Sequence, residues 1–139
     1  MEIALKRLSY GLAWELAPYG VTALSITPGF MRTEAILESF GVTEANWRDA
    51  LDRPNAKAYG WGGSETPCFV GRALAALAAD PDLVKKSGGI YNAWELSKEY
   101  GFTDVDGTKP DWAVLQEASR KSFAATKMHP AFEWQLART

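Results

Sequence analysis

The sequence predicts an α/β chain with parallel strands, and three observations carry that expectation. A leucine-periodic helical stretch leads into a short, nearly continuous apolar run, Val21 to Thr27. Such a run suits a parallel strand covered on both faces. A second run, Gly89 to Trp94, follows after intervening helical sequence, and strand, helix, strand is the crossover unit of a parallel sheet. Directly after the first run stands Pro28-Gly29-Phe30-Met31-Arg32-Thr33, a corner at the strand's carboxyl end, the edge where open α/β sheets bind ligands.

Residues 1 to 17 carry Leu5, Leu8, Leu12 and Leu16 on one helical stripe, with Lys6, Arg7 and Glu15 available for the wet side. Pro18 and Gly20 supply the stop. Thr43 is expected to cap a helix through about Leu51, with Trp47 and Leu51 on one face. Thr66 followed by Pro67 is a cleaner start, because proline tolerates the first helical position. That helix presents Phe69, Val70, Ala73, Leu74, Leu77 and Ala78 at helical period and ends near Asp80. Asp80 and Pro81 then cap one more turn, Asp82 to Lys86. The Gly89 to Trp94 run is rich in β-branched and aromatic residues, as a strand should be. Thr108, Pro110 and Asp111 resemble a capping box opening a last helix to about Ala125, and the tail from Lys127 is expected to be loosely ordered.

Composition excludes several function classes. With 139 residues the chain is one domain by the usual prior, and 47% apolar with 23% charged residues fits a globular protein. A net charge of −2 without a long basic run argues against nucleic acid. No apolar stretch has the length of a membrane helix, and the N-terminus lacks the order of a signal peptide. One cysteine, Cys68, forms no internal disulfide and reads as a small buried residue; the expected compartment is the cytoplasm.

Other motifs lead nowhere catalytic. Gly60-Trp-Gly-Gly-Ser64 lacks the Gly-Lys-Ser/Thr of a phosphate loop and reads as a flexible loop; Thr66 breaks a Gly-x-Ser-x-Gly elbow. Asp104-Val-Asp106-Gly has Leu115 where a calcium loop closes with glutamate, so it reads as a solvated turn. His129 stands without a partnered acid or nucleophile nearby in sequence, and no cluster has metal-ligand spacing.

Four segments occur in one order: Leu12-Ala-x-Glu-Leu-Ala-x-x-Gly-Val21, then Pro28-Gly-x-x-x-Thr33, then Thr66-Pro-x-x-Val-Gly-Arg-Ala-x-Ala-Ala-Leu-Ala-x-Asp-Pro81, then Ser87-Gly-Gly. Together, over residues 1 to about 107, they resemble the part of short-chain dehydrogenases/reductases that follows the catalytic tyrosine and lysine. The resemblance implies the C-terminal part of a doubly wound Rossmann-type parallel sheet over residues 1–111, with a C-terminal helix and tail over 112–139. It implies hydride transfer between a nicotinamide, NAD or NADP, and an alcohol or carbonyl substrate. Pro28, Gly29, Phe30 and Thr33 would then line the nicotinamide half of the cofactor site, Gly29 allowing close backbone approach. Met31, Ile36, Phe40, Trp47 and Trp61, with Tyr59, would form an apolar substrate wall.

The family's tyrosine donates a proton while a lysine four residues on lowers its pKa. Aligning Leu12-Ala-x-Glu-Leu places that lysine at Glu2, and Tyr10 is followed four residues on by Trp14. No glycine-rich dinucleotide turn is present in the sequence. The expectation is a truncated, inactive portion of the fold, with no catalytic residue of its own and an open strand edge. Such a chain should self-associate or pair with a full-length relative. The other readings are a non-catalytic interaction module, a relic, or a misplaced gene start.

Overall fold

A computed structural model describes residues 2–114. The helical and strand elements are α1 (Glu2–Leu16), β1 (Ser25–Thr27), α2 (Glu34–Ser39), α3 (Pro54–Ala58), α4 (Pro67–Ala78), β2 (Ile90–Asn92) and α5 (Ala93–Tyr100). Among the described residues the sheet has two strands, β1 and β2, parallel and paired Ser25 to Ile90, Ile26 to Tyr91 and Thr27 to Asn92. Helices flank it, as in part of a Rossmann-like arrangement, and a full doubly wound sheet is not present among those residues. The two expected strands are therefore adjacent and parallel, though each is shorter than its apolar run.

α1 ends where expected. Pro18 enters a 3-10 turn, and Gly20 adopts φ 67°, a left-handed conformation that closes the helix without a Cβ penalty. Its packing face differs from the leucine stripe. Ser9 and Ala13, four residues apart, are the buried positions, and the Ser9 and Ser25 hydroxyls lie 2.7 Å apart. Small side chains let the helix backbone approach β1 closely, so Leu5, Leu8 and Leu12 are left 38–58% exposed.

α4 starts as read: the Thr66 hydroxyl accepts the Cys68 N–H at 3.2 Å, with Pro67 in the first turn. Phe69, Ala73 and Leu77 are buried, whereas Leu74 is exposed at the rim of that face. Asp80 accepts the Asp82 N–H and introduces the 3-10 turn Leu83–Lys86.

Four expectations need correcting. The helix expected from Thr43 to Leu51 is a 3-10 turn at Trp47–Ala50, and the Thr43 hydroxyl donates to Asn46 Oδ1 instead of accepting from a backbone N–H as a cap would. The strand expected over Gly89 to Trp94 is Ile90–Asn92, and Ala93 and Trp94 open α5 with their side chains buried. Cys68 is exposed, since it lies off the stripe of Phe69, Ala73 and Leu77 that α4 buries. The Gly60–Ser64 segment holds a 3-10 turn around a fully buried Trp61. Of the last expected helix, residues 112–114 are helical; its continuation and the tail, including His129, lie outside the described residues.

Two apolar clusters hold the fold. One joins α4, α5 and the sheet through Phe69, Leu77, Trp94 and Leu96, with Ile26 and Trp112 against them. The other gathers Leu37, Phe40, Trp47 and Trp61 from the segment between β1 and α4. Phe30, at the corner, touches both, with its ring 5.7 Å from those of Trp61 and Trp112.

Candidate functional site

The corner leaves the carboxyl end of β1 and is pinned at once. The Arg32 N–H donates to the Glu65 carbonyl at 2.7 Å and the Glu65 N–H donates to the Phe30 carbonyl at 2.9 Å, a parallel bridge centred on Met31 and Glu65. Residues 34–64 therefore form a loop that departs from and returns to the corner. Pro28, Gly29, Phe30, Met31 and Thr33 are all half-buried. Thr33 occupies the N-cap position of α2, yet its hydroxyl makes no capping hydrogen bond. The space where a Gly29 Cβ would stand is filled from within, 2.8 Å from Glu65 Oε2 and 3.2 Å from Trp112 Cβ. The close approach that Gly29 permits here is that of Glu65.

The expected substrate wall is largely core. Phe40, Trp47 and Trp61 are buried, with the Phe40 and Trp61 rings 4.5 Å apart and the Trp61 N–H donating to the Trp47 carbonyl at 2.8 Å. Ile36 packs against this cluster, and Tyr59 is 66% exposed on the outside. Trp47 borders a crevice of about 330 Å³, which opens among Gly62, Ser64, Thr108 and Lys109. Tyr10 stands at the opposite end of the sheet, in a groove with Trp14, Val21 and Gly88.

Beneath the corner lies a polar network absent from the sequence reading. The Arg32 guanidinium is fully buried and donates to Glu44 from Nη2 (2.8 Å) and Nε (3.1 Å), to Asp106 from Nη2 (3.0 Å), and to the Ser64 carbonyl from Nη1 (2.7 Å). Its carbon Cζ also lies 4.1 Å from the centre of a Trp47 ring. Burial opposes ionisation of Asp106, but the Thr108 hydroxyl and N–H and the two arginines Arg32 and Arg48 outweigh it and hold its pKa below the ordinary value. Asp104, also buried, accepts the Thr66 N–H (2.7 Å) and hydroxyl (2.6 Å) and so fastens the start of α4. The Asp104–Gly107 stretch is a turn, as expected, closed by the Gly107 N–H on the Asp104 carbonyl with Val105 exposed, but its two carboxylates are not solvated: Asp104 is buried and Asp106 half-buried on these partners. Spacing gave no hint of this, because its partners lie far away in sequence. Among the described residues no group of three or more His, Cys, Asp or Glu side chains is arranged to hold a metal ion. No helix among them is long and apolar enough to cross a membrane.

No family model matches the chain. It is similar to Dehydrogenase/reductase SDR family member 1 of Mus musculus, 33% identical over 106 residues, and to the protein of the same name of Homo sapiens, 32% identical over 108 residues. Each alignment covers 76% of this chain and 33% of the relative, so the chain spans about a third of the length of the curated relatives it matches. The likeness to dehydrogenases/reductases of the SDR type is at the level of the family.

Proposed function

We propose that this chain forms the nicotinamide-facing floor and the substrate-covering loop of an NAD(P)-dependent short-chain oxidoreductase, and that it does not catalyse hydride transfer alone. One observation carries the reading: Pro28 to Thr33 sits at the carboxyl end of β1, within a parallel pair whose crossover contains residues 34–64. That edge is where α/β sheets take ligands. What supports the nicotinamide end of a dinucleotide here is Thr33, which offers a hydroxyl without a capping bond, beside half-buried Pro28 and Met31. When bound, the nicotinamide supplies the hydride chemistry. The corner's part is to hold its carboxamide side, and the 34–64 loop's part is to exclude water from the substrate. With Glu2 where the family has its lysine, proton transfer needs a donor that this sequence does not supply.

Titration with nicotinamide mononucleotide, followed by amide NMR, tests the corner. The expected result is weak binding that shifts the Gly29, Phe30 and Thr33 amides before others. Absence of shifts there at saturating ligand refutes the assignment. Intact NAD(P)H should show no saturation at micromolar concentration, and tight binding would overturn the view that most of its affinity lies elsewhere.

A second reading, an interaction module that pairs with itself or with a full-length relative, has its own support. Leu5, Leu8, Leu12 and Trp14 are exposed on α1, and Leu12, Leu24, Leu74 and Leu83 border an apolar groove of about 330 Å³ beside β1. Sedimentation that shows a monomer at tens of micromolar would remove self-pairing, and no heavier species on mixing with a full-length relative would remove the rest.

A further inference from the structure

One buried acid takes no part in the Arg32 network. The Glu65 backbone makes the bridge that pins the corner, while its side chain is fully buried against Gly29. Neither carboxyl oxygen has a hydrogen-bond partner; the Gly29 N–H leans toward it without reaching hydrogen-bond geometry. The charged groups that face it are Arg32, from the corner, and Asp104, from the loop after α5. Arg32 is already engaged by Glu44, Asp106 and Ser64, and Asp104 repels a second negative charge. A carboxylate left without donors in such a place is expelled to water or protonated.

We propose that Glu65 is a positioning residue for the corner: as an uncharged acid it seats Gly29 against itself, and on losing its proton it releases Gly29. The carboxylate lies against Gly29, with Oε2 2.8 Å from where a Gly29 Cβ would stand, so a charged carboxylate that turns toward water has to part from Gly29. Because the same residue anchors Phe30 and Arg32 through its backbone, that movement also loosens the bridge. Burial pushes the carboxyl up from 4.5 to about 7; the Gly29 N–H pulls it down, Asp104 adds to the rise and Arg32 opposes it. The corner is therefore closed in mildly acidic solution and opens through neutrality. Reading the corner as ligand-facing adds one consequence, weaker nicotinamide binding at alkaline pH, and only that consequence rests on the reading.

Amide hydrogen exchange on the ligand-free chain provides the test. The Arg32 and Glu65 amides, which make the bridge, are followed from pH 5 to pH 8.5 and corrected for base-catalysed intrinsic exchange, in the wild type and in Glu65→Gln. If the open form titrates near 4.5 and the closed form near 7, the opening constant rises roughly fortyfold between pH 5 and pH 7 and levels off above pH 8. The Glu65→Gln variant should show flat protection, because its amide never ionises. A flat profile in the wild type, or an equal fall in both proteins, overturns the proposal. Should the variant not fold, the Glu65 carboxyl ¹³C shift in the wild type decides. A midpoint near 7 with the Gly29 amide moving in step supports the switch, and a midpoint near 4.5 defeats it. No nucleotide is present in this experiment, so its outcome stands apart from that of the mononucleotide titration.

Discussion

Replacing Arg32 by methionine removes the single cation on which three segments converge. The guanidinium is fully buried and bonds Glu44, Asp106 and the Ser64 carbonyl, joining the corner to the 34–64 loop and to the Asp104–Gly107 turn. Methionine replaces the aliphatic stem and strands the acceptors. Breaking one side of a buried ion pair commonly costs about 3–5 kcal/mol. Two features place this case at the low end. Glu44 is 45% exposed and regains water, and Asp106 keeps its Thr108 bonds and Arg48 at 3.6 Å. The expected loss is about 3 kcal/mol, equivalent to a fall of roughly 10 °C in melting temperature for a domain of this size. Arg32→Lys keeps the charge without the fork and should lose about half as much. Urea and thermal unfolding followed by circular dichroism at pH 7 measure both. A methionine variant within about 0.5 kcal/mol of wild type refutes the reasoning. So would additive effects of Arg32→Met and Asp106→Asn, since partners in one network should couple by about 1 kcal/mol or more.

The pH dependence of stability should carry two opposed contributions. Glu65 has a folded pKa above its unfolded value, so between 4.5 and about 7 the folded chain holds a proton that the unfolded chain releases, and stability falls as pH rises through that window. The loss across that window is about 2.5 kcal/mol. Asp106 has the opposite sign: its contribution is present above 3.8 and disappears as pH falls through its lowered folded value. Melting temperature should peak near pH 5, and Glu65→Gln should flatten the alkaline side; a wild-type curve that rises from pH 5 to pH 7.5 contradicts this. Thr66→Ala should cost about 2 kcal/mol, because it removes the α4 cap and strips a donor from buried Asp104, while Thr66→Ser should recover most of it. A Thr66→Ala variant as stable as the serine variant would show that the hydroxyl is not the stabilising group.

The readable parts of the fold are those fixed by local chemistry. A proline at the first helical position behind a threonine cap starts α4, and Pro18 with Gly20 ends α1, whatever the rest of the chain does. The apolar runs at Val21 and Gly89 contain β1 and β2, but the cover on both faces expected from them is not complete: β1 is half-buried and Ile90 of β2 is exposed. Where local preferences compete, the reading failed. The Thr43 hydroxyl turned to Asn46 instead of capping a helix, and Ala93–Trp94 joined α5, which buries both side chains.

By itself the sequence determined α1, α4, the parallel pair and the corner, because periodicity, caps and glycine conformations are properties of neighbouring residues; α2, α3 and α5 came only with the structure. It also carried the likeness to short-chain dehydrogenases/reductases. Only the tertiary structure decided which faces are dry and which charges meet. Leucines spaced for burial stand in solvent because Ser9 and Ala13 let α1 approach β1 more closely. Arg32 meets Asp106, and Glu65 comes to rest beneath Gly29, through chain reversals that no spacing records. Burial strengthens a charge's pull on its partner and penalises one left without a partner, and that is a property of the packed whole.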